Sequence, residues 1–203
     1  MTKESVVNRI SLATVATFLT MSLTAGAQSP VWQLDPAHST AQFAVRHLGI
    51  STVRGNFTKV SGTVRYDPAD PKNASVDVSI DAASVDTRVE MRDNDLRSDH
   101  FFDVQKYPAI TFKSTKVESA GDGKLKVTGD LTMRGTTKQV VLDVDGPSKP
   151  INDGNGRLHM GASATTTIER TDFGITGAPG VVGSTVTLTI DVELVQPAGP
   201  SSK

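Results

Sequence analysis

Apolar and polar residues alternate along most of the chain from Val31 onward. In Thr40–Leu48, Ala41, Phe43, Val45 and His47 fall on one face, and Gln42, Ala44 and Arg46 on the other. Ser75–Val85 opens the same way, with Val76, Val78 and Ile80 set against Asp77, Ser79 and Asp81. Successive strand side chains point to opposite faces, so a period of two predicts strands with one buried and one wet face. The pattern predicts further strands at Val31–Leu34, Thr52–Tyr66, Ala109–Glu118, Lys124–Met133, Lys138–Asp145, Arg157–Arg170 and Val182–Val195. Turn-forming runs separate them: Asp67–Asn73, Gly121-Asp122-Gly123, Arg134–Thr137 and Asn152–Gly156. Gly55 and Gly62 stand inside the long strand Thr52–Tyr66, where they predict bulges, bends or close approach.

One stretch breaks the alternation. In Thr87–His100 the apolar positions Val89 and Leu96 are spaced for a helix, which places a short helical insert near residues 88–100. Thr87 with Glu90 three residues later fits a capping box, and Glu90, Arg92, Asp93, Asp95 and Arg97 are expected to face outward. The segment that follows holds Phe101, Phe102 and Phe112, three of the chain's seven Phe. So many aromatics in one short segment need a large apolar surface to pack against, and they predict a plug at one end of an apolar container.

Eight or nine strands in series, with one helix and no strand–helix alternation, define an all-β chain. A long antiparallel series with two open edges invites association in solution. Closure into an eight-stranded antiparallel up-and-down barrel removes both edges. The interior of such a barrel is wide enough for side chains alone or for one small ligand.

Composition narrows the setting. Lys3 and Arg9, the apolar stretch Ile10–Leu23 and the small-residue site Ala25-Gly26-Ala27 predict a cleaved export leader over residues 1–27. The apolar stretch is thinned by Ser and Thr and too short for a membrane span, so no stable membrane insertion is expected. The barrel is assigned to residues 28–196, and Pro197 and Pro200 begin a disordered tail over 197–203. The chain has no Cys and a formal net charge of −1. It therefore offers no thiol chemistry and no basic block that would point to nucleic acid. An exported domain without disulfides suits the bacterial periplasm.

Candidate chemistry is sparse. There is no phosphate-binding loop, nucleophile elbow, paired-His zinc motif or dinucleotide fingerprint. His38, His47, His100 and His159 stand in no nucleophile–base pattern, and two of them with an acid give only a weak zinc-ligand spacing, so no metal or cofactor is expected. In Arg170-Thr171-Asp172-Phe173, Arg170 either pairs with Asp172 on a solvated rim or points at a ligand head group. The inward apolar positions either fill the barrel or line a hollow. Alternation does not decide between these, although small residues at Gly129, Ala162, Ala164 and Thr166 favour a hollow.

Taken together, several segments resemble one family. They are Asp35-Pro36-Ala37-His38-Ser39, Phe43 to Gly49, Val53 to Phe57, Ser98 to Phe112, Leu131 to Lys138 and Arg170 to Ile175. In this order, over residues 31–195, they are similar to the YceI-like family. The resemblance implies a lipocalin-like barrel that binds a polyisoprenoid, or another amphiphile such as an isoprenoid quinone or a fatty amide. It implies no enzyme activity, and it implies homodimers among the forms the family takes.

On that footing the ligand is expected among Phe43, Val45, Phe57, Phe101, Phe102, Phe112, Leu131, Met133, Leu142, Met160, Ile168, Phe173 and Leu188. Its head is expected among His38, His47, Arg170 and Asp172. Two other readings compete with a carrier. One is a barrel enzyme using His47 with Asp172 or Asp99. The other is a filled barrel that binds a partner protein.

Overall fold

A computed structural model of the protein describes residues 29–196. The expected leader over 1–27 and the expected tail over 197–203 lie outside the described residues. The strands are β1 (Val31–Leu34), β2 (Thr40–His47), β3 (Ser51–Phe57), β4 (Val60–Arg65), β5 (Ser75–Asp81) and β6 (Val85–Asp86). After the helix α1 (Glu90–Arg97) come β7 (Ala109–Gly121), β8 (Lys124–Met133), β9 (Thr136–Asp145), β10 (Ile151–Asn152), β11 (Leu158–Glu169) and β12 (Val182–Val195).

The pairings close a ring of eight long antiparallel runs. β1 and β2 form one run, which pairs with β4 and β3 on one side and with β12 on the other. β3 and β4 form the second run, and β5 and β6 the third. β7, β8, β9, β11 and β12 follow as neighbours, and β11–β12 is paired from His159–Val195 to Glu169–Thr185. Strand order and closure are those the alternation predicts. The break in the second run is elsewhere: it falls at Thr58-Lys59, between β3 and β4, and not at the glycines. Of the roles expected of Gly55 and Gly62, close approach is the one they serve. A Cβ on Gly62 would stand 2.7 Å from the Asp77 carbonyl oxygen of β5, and one on Gly55 would strike the Phe43 ring.

The helix is shorter than expected and is capped differently. Its N-cap is Val89, with no side-chain cap. Asp93 is buried rather than outward; its carboxylate accepts from the Thr87 backbone N–H at 2.9 Å and from the Thr87 hydroxyl at 2.5 Å. Asp93 thus takes the part expected of Glu90. Arg92 donates to the Thr87 hydroxyl at 2.7 Å, and Arg97 to the carbonyls of Ala83 and Val85 at 2.8 and 2.7 Å. The charged side chains that looked solvated tie α1 to the β5–β6 run. Backbone carbonyls near a strand end need donors, and sequence periodicity does not report that need.

Candidate functional site: an apolar cavity in one half of the barrel

The inward face of the barrel has two parts. At the end near α1 the interior is solid. Phe57 lies between Phe43 and Phe102, at ring-centroid distances of 6.0 and 5.6 Å. Phe101, Phe173, Ile175, Val85 and Val104 are buried in the same apolar core. This is the aromatic plug, and Arg170 is built into it. The Arg170 guanidinium is buried and donates to the carbonyls of Gly183, Ile175 and Val182 at 2.8, 2.7 and 2.9 Å. It also lies 5.8 Å from the centre of the Phe101 ring. Burial holds its pKa below the usual arginine value.

The remainder of the barrel is hollow. A cavity of about 180 Å³ runs between the sheet walls. Val64, Val76, Val78, Ile80, Val140, Leu142, Val144, Leu188, Ile190 and Val192 line it and are only half-buried. An inward side chain that stays partly accessible inside a closed barrel faces empty space. Ile110, Phe112, Val117, Leu125, Val127, Leu131 and Met133 supply a fully buried stretch of the wall. Tyr66 also lines the cavity; burial, with a contribution from Asp67, holds its phenol above the ordinary value, so it stays neutral.

The expected ligand residues fall only partly on the cavity wall. Phe57, Phe112, Leu131, Met133, Leu142 and Leu188 line the cavity. Phe43, Val45, Phe101, Phe102, Met160, Ile168 and Phe173 do not. Of the small residues, Ala162, Ala164 and Thr166 border the cavity, whereas Gly129 seats the Phe112 ring against the sheet and leaves no space. The cavity wall holds many valines that the sequence reading passed over. Alternation had already placed Val76, Val78 and Ile80 inward; choosing by size missed them.

None of the four polar candidates lines the cavity. Arg170 is in the plug, and Asp172 is exposed on a short turn. His47 ends β2, and among the described residues no hydrogen bond joins it to Asp99 or Asp172. His38 is on the outer face, in the connection between β1 and β2. Its Nδ1 lies 3.0 Å from Asp35 Oδ2 and 3.9 Å from Glu193 Oε2. The hydrogen bond to Asp35 and then the charge of Glu193 raise the His38 pKa, and the same bond lowers that of Asp35. His159 Nδ1 adds a contact to Glu193 at 2.7 Å. By donor type, Asp35, His38 and Glu193 could hold a cation, since one ligand atom of each lies within 4.8 Å of the others. They work here as an ion-paired clamp between β12 and the β1–β2 corner.

A closed eight-stranded antiparallel barrel with a carbon-walled cavity defines a barrel of lipocalin-like build. The family comparison is more specific. The model of the YceI-like domain matches residues 32–194. The chain is 39% identical over 163 residues to a UPF0312 protein of Vibrio cholerae, covering 79% of this chain and 85% of that one. The chain therefore belongs to the YceI-like family. Among solved structures, Burkholderia cenocepacia BcnA superposes with a TM-score of 0.71 at 26% identity, covering 79% of this chain and 98% of that chain. A polyisoprenoid binding domain from Saccharophagus degradans superposes with a TM-score of 0.61 at 18% identity, covering 83% of this chain and all of the other. Among the described residues no helix is long and apolar enough to cross a membrane.

Proposed function

We propose that this protein is a carrier for an apolar-chain lipid of the isoprenoid class, held in the cavity with its tail against Phe57, Phe112, Leu131, Met133, Leu142 and Leu188. The observation that carries this reading is the row of half-buried inward valines and leucines around the cavity. A barrel built only to fold would bury those side chains against one another. The polyisoprenoid binding domain of Saccharophagus degradans shares the fold and supports the same ligand class. Each buried CH₂ contributes roughly 0.8 kcal/mol, so a five-carbon unit yields on the order of 3–4 kcal/mol gross. Association and chain ordering oppose this by about 4–15 kcal/mol. A few buried units therefore suffice for binding. The leader-like segment over 1–27 supports export, and the absence of Cys suits the periplasm as the working compartment.

The test is native mass spectrometry of the protein purified from its own cell envelope, followed by organic extraction of whatever dissociates. A stoichiometric prenyl lipid or quinone is the expected result. A bare protein that also refuses added isoprenoids overturns the carrier reading in favour of a partner-binding barrel.

A further inference from the structure

Five of the seven large hydrophobic side chains exposed among the described residues stand at the plugged end of the barrel: Leu48, Ile50, Val89, Met91 and Val181. Three of them meet. The hairpin of β2 and β3 runs four residue pairs past Phe43–Gly55, from Ala44–Arg54 to His47–Ser51, and Leu48 and Ile50 form its tip. The Leu48 N–H donates to the Val181 carbonyl at 2.7 Å, which sets Val181 beside that tip. Leu48 is 55%, Ile50 78% and Val181 40% exposed. β6 pairs with β3 at Phe57–Val85 and Asn56–Asp86, so the chain that leaves it carries Val89 and Met91 toward the same end.

Folding does not ask for leucine at this place. The Ile50 N–H donates to the His47 carbonyl at 3.1 Å and closes a turn whose central residues, Leu48 and Gly49, both have positive φ, 50° and 70°. Turns of that type favour Asn, Asp or Gly at both positions, because these residues enter the left-handed region at little cost. Leu48 holds a strained conformation and keeps its side chain in water, and neither serves the core. Strain that the fold retains at an exposed residue points to a function for that residue.

Charge of one sign surrounds the tip. Residues 46–54 and 174–183 hold Arg46 and Arg54 and no Asp or Glu. Arg46 lies just behind the tip, donating to the Gly49 carbonyl at 2.7 Å and to the Thr52 hydroxyl at 2.8 Å. Ala44–Arg54 and Arg46–Thr52 are alternate pairs, so both arginines stand on one face of the hairpin. Among the described residues neither forms a salt bridge. Nearby, Asp86 and Glu90 balance Arg88 and Arg92, and Asp172 is exposed on the turn before residue 174.

Shape and charge decide the partner. The tip is a convex projection, and its three aliphatic side chains cannot bury the roughly 1,200 Å² or more of a stable protein interface. It offers no aromatic anchor of the kind such interfaces use. Apolar side chains projecting past a collar of cations suit a lipid surface instead. Carbon enters the acyl boundary while the guanidinium groups stay at the phosphates.

We propose that the Leu48–Ile50 tip is a docking finger for an anionic phospholipid bilayer, which the protein touches from one side without spanning it. Leu48, Ile50 and Val181 enter the bilayer surface, and Arg46 and Arg54 supply the attraction to its phosphates. The aromatic plug separates this tip from the cavity, so the inference stands apart from the carrier reading.

The test is flotation of the purified protein at low salt with phosphatidylcholine vesicles, with and without phosphatidylglycerol. The anionic vesicles are expected to bind the protein about tenfold or more tightly, since each arginine near such a surface strengthens binding about fivefold. High salt should abolish that difference. Leu48→Asn with Ile50→Ser should abolish vesicle binding, and Arg46→Gln with Arg54→Gln should remove the anionic preference. Leu48→Asn alone should raise the unfolding temperature, because Asn suits the turn, which separates lost docking from lost folding. A lowered unfolding temperature in that variant would overturn the reading of Leu48 as strained for function. Equal binding to the two kinds of vesicle, or binding that survives Leu48→Asn with Ile50→Ser, overturns the inference. Failure of the unaltered protein to bind either vesicle overturns it in favour of a protein partner for the tip.

Discussion

The two ends of the barrel interior are made by the same eight runs and the same alternation, yet one end is solid and the other hollow. The solid end receives side chains from outside the ladder: Phe101, Phe102 and Val104 after α1, and Phe173 and Ile175 after β11. The hollow end is lined mainly by what the strands themselves point inward, mostly Val, Leu and Ala, with Tyr66, Ala74 and Pro147 added from the connections. An eight-stranded barrel is too wide for short aliphatic side chains to meet across it. Connections between strands therefore decide where this barrel is filled. The plug gives the fold its rigid aromatic core and leaves the rest of the interior free for a guest.

That contrast can be broken most forcefully at the plug. Phe173 is 2% exposed. Phe173→Ala should cost about 3–5 kcal/mol, because the lost contacts leave a void that its packed neighbours cannot close. Val78 faces the cavity and is half-buried. Val78→Ala should cost about 1 kcal/mol, since it enlarges a space that already exists. Urea denaturation of the two variants checks the difference. Equal losses would mean that the barrel interior is uniformly packed.

Adding atoms sharpens the same comparison with a smaller effect on stability. Ala82 is 1% exposed at the plug end, where its backbone N–H bonds the Pro108 carbonyl at 2.9 Å. Ala82→Leu should cost about 1–3 kcal/mol through overpacking. Ala164 borders the cavity on β11. Ala164→Leu should change stability by under about 1 kcal/mol and weaken lipid binding strongly, because the new side chain occupies the guest's space. A well-folded Ala164→Leu variant that binds isoprenoids normally would place the ligand elsewhere.

The strands were legible because each has one wet face, so the period of two survives in the residue types. Barrel closure followed from the length of the antiparallel series, which would otherwise leave two open edges in solution. The division of the interior was legible only in part: the aromatics that follow the helix announced a plug, but the residues that line the hollow did not stand out. Size ranking drew attention to Phe43, Phe101, Phe102 and Phe173, and large aromatics are the residues that fill space rather than leave it. The cavity wall is written in valines such as Val76 and Val78, which look the same in a full core and a hollow one. Arg170 was ambiguous for a different reason. Its partners are the carbonyls of Gly183, Ile175 and Val182, and a backbone acceptor has no signature in sequence. The register of the β8–β9 hairpin was legible in principle: a turn of two residues at Arg134-Gly135 sets Leu131 opposite Lys138 and Gly129 opposite Val140. Both turn residues have positive φ, 47° and 73°, as a tight hairpin of that kind requires.

The smallest expected effect lies on the outer face, away from both ends of the interior. The Asp35–His38–Glu193 clamp joins the β1–β2 corner to β12, and its strength depends on protonation. The His38 pKa is raised in the fold above its ordinary value of 6.5. A raised pKa means that the folded state binds the proton more tightly than the unfolded chain. Its contribution is therefore fully present below pH 6.5 and is lost as pH rises through the folded value. Asp35 works in the opposite direction: its lowered pKa contributes above the ordinary value of 3.8 and is lost as pH falls through the folded one. The clamp is thus strongest between these limits, and the unfolding temperature should drift down as pH rises from 6.5. The drift should be slight, because His38 is 65% exposed and solvent screens the pair. His38→Gln should flatten this slope while leaving lipid affinity unchanged, since His38 touches neither the cavity nor the plug. A slope that persists in His38→Gln would detach the pH dependence from the clamp.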